Sequence, residues 1–296
     1  MTHLLKEWKN GNYYVEIYSD GTKIRYTTEK EEIQLEPEYP ESLDVKITNY
    51  CELTCKYCHE QSSDKGEHCD PNTLISRLEG IPSAEIAIGG GNALRHPKLE
   101  ELLFELQKRN FITSMTVNER SLIGPNLEVL NQCMNRGLIY GLGVSWSSGK
   151  NVIKYKNAVA HVIAGVHSFD EMSRALDTYG KILILGYKDF GRGKKYILNH
   201  KADVESKISE VSRKLWRLLL RKDGVVSFDN LAIEMLNVKA HLSKEKWEEF
   251  YMGDEGKFTM YYDAVKDAFA ISSIHERVGA DNYGNAIRFF QEIRDN

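Results

Sequence analysis

The sequence predicts an α/β fold with a parallel sheet, because short apolar segments of strand length alternate with longer amphipathic segments of helical period. Six such units favour right-handed crossovers between parallel strands, and they are too few for a closed eight-stranded barrel. The predicted strands span 43–48, 84–88, 111–117, 139–145, 159–164 and 181–186. The predicted helices span 71–80, 97–109, 125–136, 150–156 and 168–179.

Four of the predicted helices begin at a residue that suits the first turn. Proline lacks the N–H that the first turn leaves unbonded, and serine can cap that turn through its side chain. These residues are Pro71, Pro97, Pro125 and Ser168. Each helix therefore begins after a strand and its loop, which is the order of a βαβ unit.

A β-hairpin is predicted at 12–28, before the parallel core. Apolar and polar residues alternate on both sides of Asp20, which with the following glycine makes a strong two-residue turn signal. Residues 29–42 are acidic and contain two prolines, so we expect an extended connector there. The hairpin and the connector together make the first predicted region, residues 1–42.

Beyond residue 196 the regular alternation of strands and helices stops. We expect a core at 43–196 and an α+β extension at 197–296 that packs on it. The predicted elements of the extension are helices at 203–220, 229–236 and 283–294, a strand at 225–228 and a hairpin at 257–272.

The composition suits a folded protein of the reducing cytoplasm. The 296 residues are 42% hydrophobic, which allows a sizeable core. A net charge of −4 and a pI of about 6.2 give no basic footprint for nucleic acid. The N-terminus lacks a signal-peptide pattern, and no apolar run reaches the length of about 18 residues that spans a membrane. We therefore expect a cytoplasmic protein without a membrane partner.

Three cysteines follow the first predicted strand in a C-x3-C-x2-C pattern, at Cys51, Cys55 and Cys58. Iron–sulfur clusters are held by cysteine thiolates, so three thiolates on one loop can ligate three irons of a [4Fe–4S] cube. No further cysteine follows at close spacing, so the fourth iron would be open to a small molecule. The chain has five cysteines, an odd and low number that argues against structural disulfides.

The same loop allows a zinc site as an alternative. His59, His68 or Cys69 would then supply the fourth ligand. Zinc-binding cysteines usually come as two separated pairs, and no second pair occurs in this sequence. A zinc site here would make the chain a non-enzymatic interaction module.

A run of three glycines separates the second predicted strand from the helix that follows it. Glycine lets the backbone approach a ligand closely and adopt positive φ. Gly89, Gly90 and Gly91, followed by Asn92, would by themselves indicate either a phosphate-binding loop or a plain turn. Their position decides the interpretation, because they follow the second strand about thirty residues after the cysteines.

This order, a cysteine loop after the first strand and a glycine loop after the second, resembles the radical S-adenosylmethionine (radical SAM) superfamily. The resemblance covers residues 43–195 and implies a partial (β/α)6 TIM-like barrel, with the cysteine loop at the carboxyl ends of the strands. It implies a [4Fe–4S] cluster whose open iron is chelated by the amino and carboxylate groups of S-adenosylmethionine. The cluster's electron would cleave S-adenosylmethionine to a 5′-deoxyadenosyl radical, which abstracts hydrogen from a substrate.

The resemblance also implies which residues contact S-adenosylmethionine (SAM). In the family a G-G-E-P-like motif follows the second strand, and its backbone and carboxylate receive the SAM amino group. Gly90 and Gly91 match that motif, whereas Asn92 replaces the acid and Ala93 replaces the proline. An amide oxygen still accepts a hydrogen bond but carries no charge. A degenerate scaffold that binds SAM without cleaving it is therefore a third interpretation.

Further SAM contacts are implied inside the cysteine motif and at later strand ends. The tyrosine inside the motif would lie against the adenine edge, and the strand-end residues would meet the ribose, the carboxylate and the adenine. These residues are Tyr57, Asn118, Ser145, Ile163, Leu185 and Tyr187. Each strand end by itself is equally typical of an ordinary strand-to-loop turn.

Candidate catalytic or substrate-binding residues flank the cysteine loop. Lys46 alternates with apolar residues on the first strand and would face a wet lumen, unless that strand is a solvated sheet edge. His59 and Glu60 follow the third cysteine and suit general acid–base chemistry or substrate contact. The extension offers further side chains that could close the core over a substrate. They are Asp229, Tyr261, Tyr262 and Asp263.

The partners follow from the same resemblance. The cluster would take its electron from a donor such as flavodoxin or ferredoxin. The substrate is unidentified, and we expect a small metabolite, a nucleotide-like molecule or a peptide. No cysteine follows Cys133, so a single cluster is expected, and the peptide-modifying members with auxiliary clusters are disfavoured.

Overall fold

The computed structural model describes residues 2–29 and 34–295, so residues 30–33 of the predicted connector lie outside the described residues. Within the described ranges the strands form two sheets. The smaller sheet is antiparallel and consists of β1 (Leu4–Asn10), β2 (Tyr13–Tyr18) and β3 (Lys23–Tyr26). The hairpin predicted at 12–28 is confirmed as β2 and β3, and β1 adds a third strand that the sequence analysis missed.

The larger sheet of the described residues has ten strands, and it contains all six strands predicted for the core. Those six are β4 (Ser42–Thr48), β5 (Glu85–Gly90), β6 (Ile112–Asn118), β7 (Gly141–Ser145), β8 (Ala158–Ile163) and β9 (Lys181–Leu185). They pair in parallel in sequence order. A parallel sheet of six consecutive units is therefore confirmed.

The C-terminal region adds four more strands to this sheet. Two of them are parallel: β10 (Val225–Phe228) pairs with β9, and β11 (Thr259–Asp263) pairs with β4. The antiparallel strands β12 (Ala268–Ala270) and β13 (Val278–Gly279) continue beyond β11. Parallel pairing therefore continues beyond residue 196, which the sequence analysis did not predict. The strand order begins at β10 and ends at β13, which makes an open, partial barrel.

Helices cover the outer face of the larger sheet, and their buried apolar side chains join those of the strands in two clusters. The helices are α1 (Pro71–Arg77), α2 (Leu99–Lys108), α3 (Gly124–Asn135), α4 (Phe169–Tyr179), α5 (Arg192–Leu219), α6 (Asn230–Met235), α7 (Lys244–Phe250) and α8 (Ala286–Asp295). Ser168 caps α4 as predicted, in a capping box with Glu171. In the described part of the chain, no helix combines the length and apolarity needed to cross a bilayer.

The loop between β7 and β8 corrects one predicted helix. The prediction of a helix at 150–156 is wrong, because residues 146–157 are irregular. The backbone N–H groups of residues 147–151 all donate to the carboxylate of Glu119. Residues 147–151 wrap around that one carboxylate, and the loop continues from there to β8 without regular structure.

Strand β4 lies inside the sheet, paired with β5 on one side and β11 on the other. The sheet-edge alternative for this strand is therefore wrong. Val45 and Ile47 join the apolar cluster, whereas Asp44 and Lys46 alternate onto the opposite, lumenal face. The Asp44 side chain is exposed to water, yet desolvation by the surrounding protein raises the pKa of its carboxyl. The lumen is therefore hydrated but enclosed.

The small antiparallel sheet covers the end of the barrel at which the parallel strands begin. Lys23 pairs with Glu85 at the start of β5 and donates to Ser42 Oγ, 3.2 Å away, at the start of β4. Lys181 Nζ, at the start of β9, donates to Asp20 O at 2.8 Å. The cysteine loop lies at the opposite end, where the strands terminate.

Candidate active site

The cysteine loop and the glycine loop pack directly on each other at the carboxyl ends of β4 and β5. The N–H of Gly91 donates to Thr48 O at 2.7 Å, and the N–H of Asn92 donates to Tyr50 O at 2.6 Å. A Cβ atom on Gly91 would lie 2.1 Å from Tyr50 O. One on Gly90, whose φ is +114°, would lie 2.4 Å from Thr48 O. Glycine is required at both positions, because a side chain would push the two loops apart.

The three cysteines of this loop are free and half-buried. Burial raises the pKa of the Cys51 and Cys55 thiols. Arg120, just after β6, donates to Leu53 O at 2.8 Å and lies 3.2 Å from Cys55 Sγ. Arg192, at the start of α5, donates to Cys55 O at 2.8 Å. Two guanidinium groups thus brace the loop, and the sequence analysis placed neither of them there.

The residues considered as a fourth zinc ligand make other contacts. His68 Nδ1 lies 2.9 Å from Thr48 Oγ1, and the ring of His59 packs edge-on against Phe190. Cys69 is buried, and burial raises the pKa of its thiol to about 12. In the ranges 2–29 and 34–295, no three His, Cys, Asp or Glu side chains, Cys51, Cys55 and Cys58 included, are arranged as a group that could hold a metal ion.

Four of the predicted SAM contacts line one small cavity of about 50 Å³. They are Tyr57, Ile163, Leu185 and Tyr187. Tyr196 of α5 packs against both tyrosines, with ring centroids 6.0 Å from Tyr57 and 6.5 Å from Tyr187. The sequence analysis missed Tyr196, because one aromatic residue in a long amphipathic helix carries no local signal of a site.

The remaining predicted SAM contacts lie at the strand ends between the glycine loop and that cavity. Asn118 and Ser145 are paired neighbours at the ends of β6 and β7. The side chain of Asn118 accepts a hydrogen bond from the N–H of Arg120 at 3.0 Å. Asn92 follows the glycines and donates from its amide to Glu52 Oε1 at 2.8 Å. The predicted contacts therefore lie along the carboxyl ends of successive strands.

A buried carboxylate that the sequence analysis missed holds the loop after β7. Glu119 is 1% exposed, and its oxygens accept bonds of 2.7–3.2 Å from the N–H groups of residues 147–151. Burial acts to raise the pKa of Glu119, but these donors outweigh burial and hold the pKa at about 2. Glu119 thereby ties the end of β6 to the loop that follows Ser145.

Four charged side chains, three buried and one partly buried, form a network beside the third cysteine, here called the charge network. Lys46 Nζ lies 2.5 Å from Glu60 Oε2 and 3.1 Å from Asp263 Oδ2. Arg277 lies 2.8 Å from Glu60 Oε1 and 3.2 Å from Asp263 Oδ2. Tyr261 OH lies 3.2 Å from both Glu60 Oε1 and the Arg277 guanidinium. Two cations and two carboxylates alternate, so the network is neutral when all four are ionised. The sequence analysis missed Arg277.

The charge network and its surroundings decide the protonation of the predicted catalytic residues. Burial acts to raise the pKa of Glu60, but Lys46 and its neighbours outweigh burial and lower the pKa. Burial, followed by the charge of Lys188, lowers the pKa of His59 to about 3. At neutral pH we therefore expect an ionised Glu60 beside a neutral His59, whose Nε2 lies 3.5 Å from Glu60 Oε1.

A cavity of about 570 Å³ opens beside the charge network and the cysteine loop. Lys46, Glu60 and Arg277 contribute to its wall, together with His59 and Lys266. Its volume is in the range of small-ligand sites. A larger groove of about 780 Å³ lies between α1 and α2 and is lined by none of the predicted site residues.

Comparisons with known proteins bear on the fold. No family model and no curated protein matches this chain. Among solved structures, SuiB of Streptococcus suis matches with a TM-score of 0.53 and 12% identity, covering 99% of this chain and 89% of that chain. SuiB bound to S-adenosylmethionine matches with a TM-score of 0.52 and 15% identity, covering 88% and 68%. The structure of anSMEcpe with bound AdoMet and Cp18Cys peptide matches with a TM-score of 0.52 and 14% identity, covering 80% and 76%.

These similarities establish the fold alone, because sequence identities this low are evidence of shared architecture only. The chain shares the fold of SuiB and anSMEcpe, and the partial α/β barrel expected from the sequence is confirmed. SuiB and anSMEcpe were both solved with S-adenosylmethionine bound.

Proposed function

We propose that this chain is a radical SAM enzyme. It would bind a [4Fe–4S] cluster through Cys51, Cys55 and Cys58 and reductively cleave S-adenosylmethionine. One observation carries the proposal: three free thiols lie beside the glycine loop, at the carboxyl ends of the strands, in a fold shared with SuiB and anSMEcpe. Enzymes with α/β barrels place their chemistry at this end.

The cysteine loop fits an iron–sulfur cluster by the chemistry of its donors. Thiolates are the ligands that such clusters take, and three free, partly exposed thiols are available on one loop. Arg120 places a positive charge 3.2 Å from Cys55 Sγ, which would offset the negative charge of a thiolate-bound cluster. The candidates for a fourth zinc ligand contact other groups, and this favours the cluster over zinc.

The predicted SAM contacts fit the parts of that molecule in order along the strand ends. The small cavity between Ile163 and Leu185, walled by Tyr57 and Tyr187, is mostly apolar and would take one edge of the adenine. Asn118 and Ser145 offer polar groups on neighbouring strands for the ribose and the carboxylate. The glycine loop, packed on the cysteine loop, would receive the amino group close to the cluster.

The bound cluster and SAM would together supply one-electron cleavage to a 5′-deoxyadenosyl radical. The residues of the chain hold the reactants and exclude water. Arg120 and Arg192 brace the cysteine loop, and Glu119 holds the loop after β7. The antiparallel sheet covers the far end of the barrel, so a substrate would enter at the carboxyl ends of the strands.

We assign Lys46, His59 and Glu60 to substrate positioning at the adjacent 570 Å³ cavity. An efficient general acid or base has a pKa near the working pH. The pKa of Glu60 is lowered by its ion pairs and that of His59 is about 3, so neither meets this condition. Fixed charges in the wall of the cavity would instead orient a polar substrate.

The substrate of this chain is proposed to be a peptide, with a small metabolite or a nucleotide-like molecule as alternatives. SuiB was crystallised with the precursor peptide SuiA, and anSMEcpe with the Cp18Cys peptide, which supports the first of these. The electron donor would be flavodoxin or ferredoxin. A cytoplasmic location fits, because all five cysteines are free and the cluster needs a reducing compartment.

Anaerobic reconstitution with iron and sulfide tests the proposal. We expect about four irons per chain and release of 5′-deoxyadenosine on addition of dithionite and SAM. Cys55→Ala should lose the iron, whereas Cys133→Ala, which alters a buried cysteine of α3, should keep it. Zinc in place of iron, with no 5′-deoxyadenosine, would refute the proposal. Full iron and SAM binding without cleavage would support the degenerate scaffold.

A further inference from the structure

Glu52, the residue after the first cysteine, lies beside the position at which the glycine loop lacks an acid. The amide of Asn92 donates to Glu52 Oε1 at 2.8 Å, and the amide of Asn126 donates to the same oxygen at 3.2 Å. Asn92 is 5% exposed and Asn126 is 8% exposed. Two buried amides from separate segments therefore hold one oxygen of an exposed carboxylate at the mouth of the site.

The other oxygen of Glu52 is available to a ligand. Within residues 2–29 and 34–295, Glu52 forms no ion pair and its Oε2 accepts no hydrogen bond. The amide assignment that makes Asn92 a donor to Glu52 leaves Asn92 Oδ1 without a partner as well. The mouth of the site thus presents two unfilled acceptors, one of them charged.

The other carboxylates near the strand ends are engaged by cations or by backbone N–H groups. Glu60 and Asp263 belong to the charge network, in which each contacts two cations. Glu119 accepts from five backbone N–H groups. Asp229 accepts from the N–H groups of two residues, one of them at the start of α6. Among the described residues, Glu52 differs from these carboxylates because it contacts neither a cation nor a backbone N–H group, and accepts only from two side-chain amides.

We propose that Glu52 Oε2 receives the α-amino group of SAM, with Asn92 and Asn126 as positioning residues. That amino group is a cation at neutral pH, and a carboxylate is its strongest hydrogen-bond acceptor. In this chain the acid expected at position 92 is supplied instead from the cysteine loop, and Asn92 orients it. The inference rests on the proposed function, since it assigns a part of the same SAM site.

Glu52→Gln tests the role of the charge with little change of shape. Glutamine keeps an oxygen for the two asparagine amides and removes only the charge. The affinity of anaerobically reconstituted protein for SAM is measured by equilibrium dialysis. 5′-Methylthioadenosine serves as the matched ligand, because it has the adenosine but lacks the amino group. We expect SAM affinity to fall about tenfold or more and 5′-methylthioadenosine affinity to stay unchanged.

A second variant returns the acid to position 92. The double substitution Glu52→Gln, Asn92→Glu should recover SAM affinity to within about threefold of wild type. Iron content and the electron paramagnetic resonance signal of the reduced cluster without SAM should match wild type in both variants. The change of that signal on adding SAM should be weakened in Glu52→Gln and recovered in the double variant.

Three outcomes would overturn the inference. Unchanged SAM affinity in Glu52→Gln would remove the contact. An equal loss for SAM and 5′-methylthioadenosine, or a loss of iron, would make Glu52 a residue that shapes the loop. These results would leave the proposed function standing. Wild-type protein that holds the cluster but binds no SAM would overturn both.

Discussion

Replacing Glu119 by glutamine tests how one buried carboxylate holds a loop of the proposed SAM site. Glutamine keeps one acceptor oxygen but turns an NH2 group toward backbone donors. The pKa of Glu119 falls from 4.5 to about 2 on folding. At about 1.36 kcal/mol for each pKa unit, the ionised form contributes about 3 kcal/mol to the free energy of unfolding. We expect Glu119→Gln to lose about 2–3 kcal/mol at pH 7, because the loop can relax around the amide.

The sign of the pH dependence follows from the lowered pKa. A carboxyl with a lower pKa in the folded state stabilises the protein above its unfolded pKa, and this contribution is lost as the pH falls from about 4.5 toward 2. Wild type and variant should therefore differ most at pH 7, differ by less than half as much at pH 3, and converge only near pH 2 and below. Urea unfolding of metal-free protein at pH 7 and pH 3 measures this, and amide hydrogen exchange at residues 147–151 should speed up in the variant.

A matched control is Glu128→Gln in α3, where the glutamate is exposed and the expected change is below about 0.5 kcal/mol. The reasoning would be refuted by equal stability of Glu119→Gln and wild type at pH 7. A difference that persists undiminished at pH 3 would also refute it, because the lost interaction would then not depend on charge.

Three further predictions concern the cysteine loop and the charge network. Gly91→Ala should displace the loop from Tyr50 and reduce the iron bound after reconstitution. The control Gly89→Ala, whose Cβ meets nothing within 4 Å, should bind as much iron as wild type. Equal iron in both variants would contradict the packing argument. Lys46→Met should lower the free energy of unfolding in urea by about 3–5 kcal/mol, because it leaves two buried carboxylates with one cation. The control Lys266→Met alters an exposed lysine and should change this free energy little. An unchanged free energy of unfolding in Lys46→Met would mean that water enters the network and solvates the carboxylates. In metal-free protein at pH 8, a thiol reagent should modify three of the five cysteines quickly. Cys69 and Cys133 should react slowly, because burial raises the pKa of their thiols to about 12 and about 11. Rapid reaction of all five would contradict the burial of these two. The three reactive residues are Cys51, Cys55 and Cys58.

Local sequence patterns predicted the strands and helices whose formation depends on residues that are close together along the chain. The period of apolar residues and the proline or serine at helix starts placed the six core strands and four of the five core helices. The helix predicted at 150–156 is absent, and the loop found there begins around Glu119, a residue about thirty positions earlier that no local pattern connects to it. The strand at 225–228 was expected, but its pairing with β9 depends on a crossover through α5 that no local pattern reveals.

The candidate site likewise consists of short motifs that the sequence predicted and of long-range contacts that it did not predict. The spacing of Cys51, Cys55 and Cys58 and the glycine run were readable, because each is a short contiguous segment with its own chemistry. The partners of those segments were not readable, because contacts across the chain depend on how the strands are ordered. Arg120 reaches Cys55 from 65 residues away, and Arg277 reaches Glu60 from 217 residues away.

The sequence by itself determined that three thiols share one loop after the first core strand, that a glycine loop follows the second, and that the core strands are parallel. Only the tertiary structure decided which charges surround those thiols. It paired Lys46 with Glu60 and Asp263, filled the backbone donors of 147–151 with Glu119, and, among the described residues, left Glu52 without a cation or backbone N–H partner beside Asn92. The physical reason is that hydrogen bonds and ion pairs act over a few ångströms in space, whatever the separation along the chain.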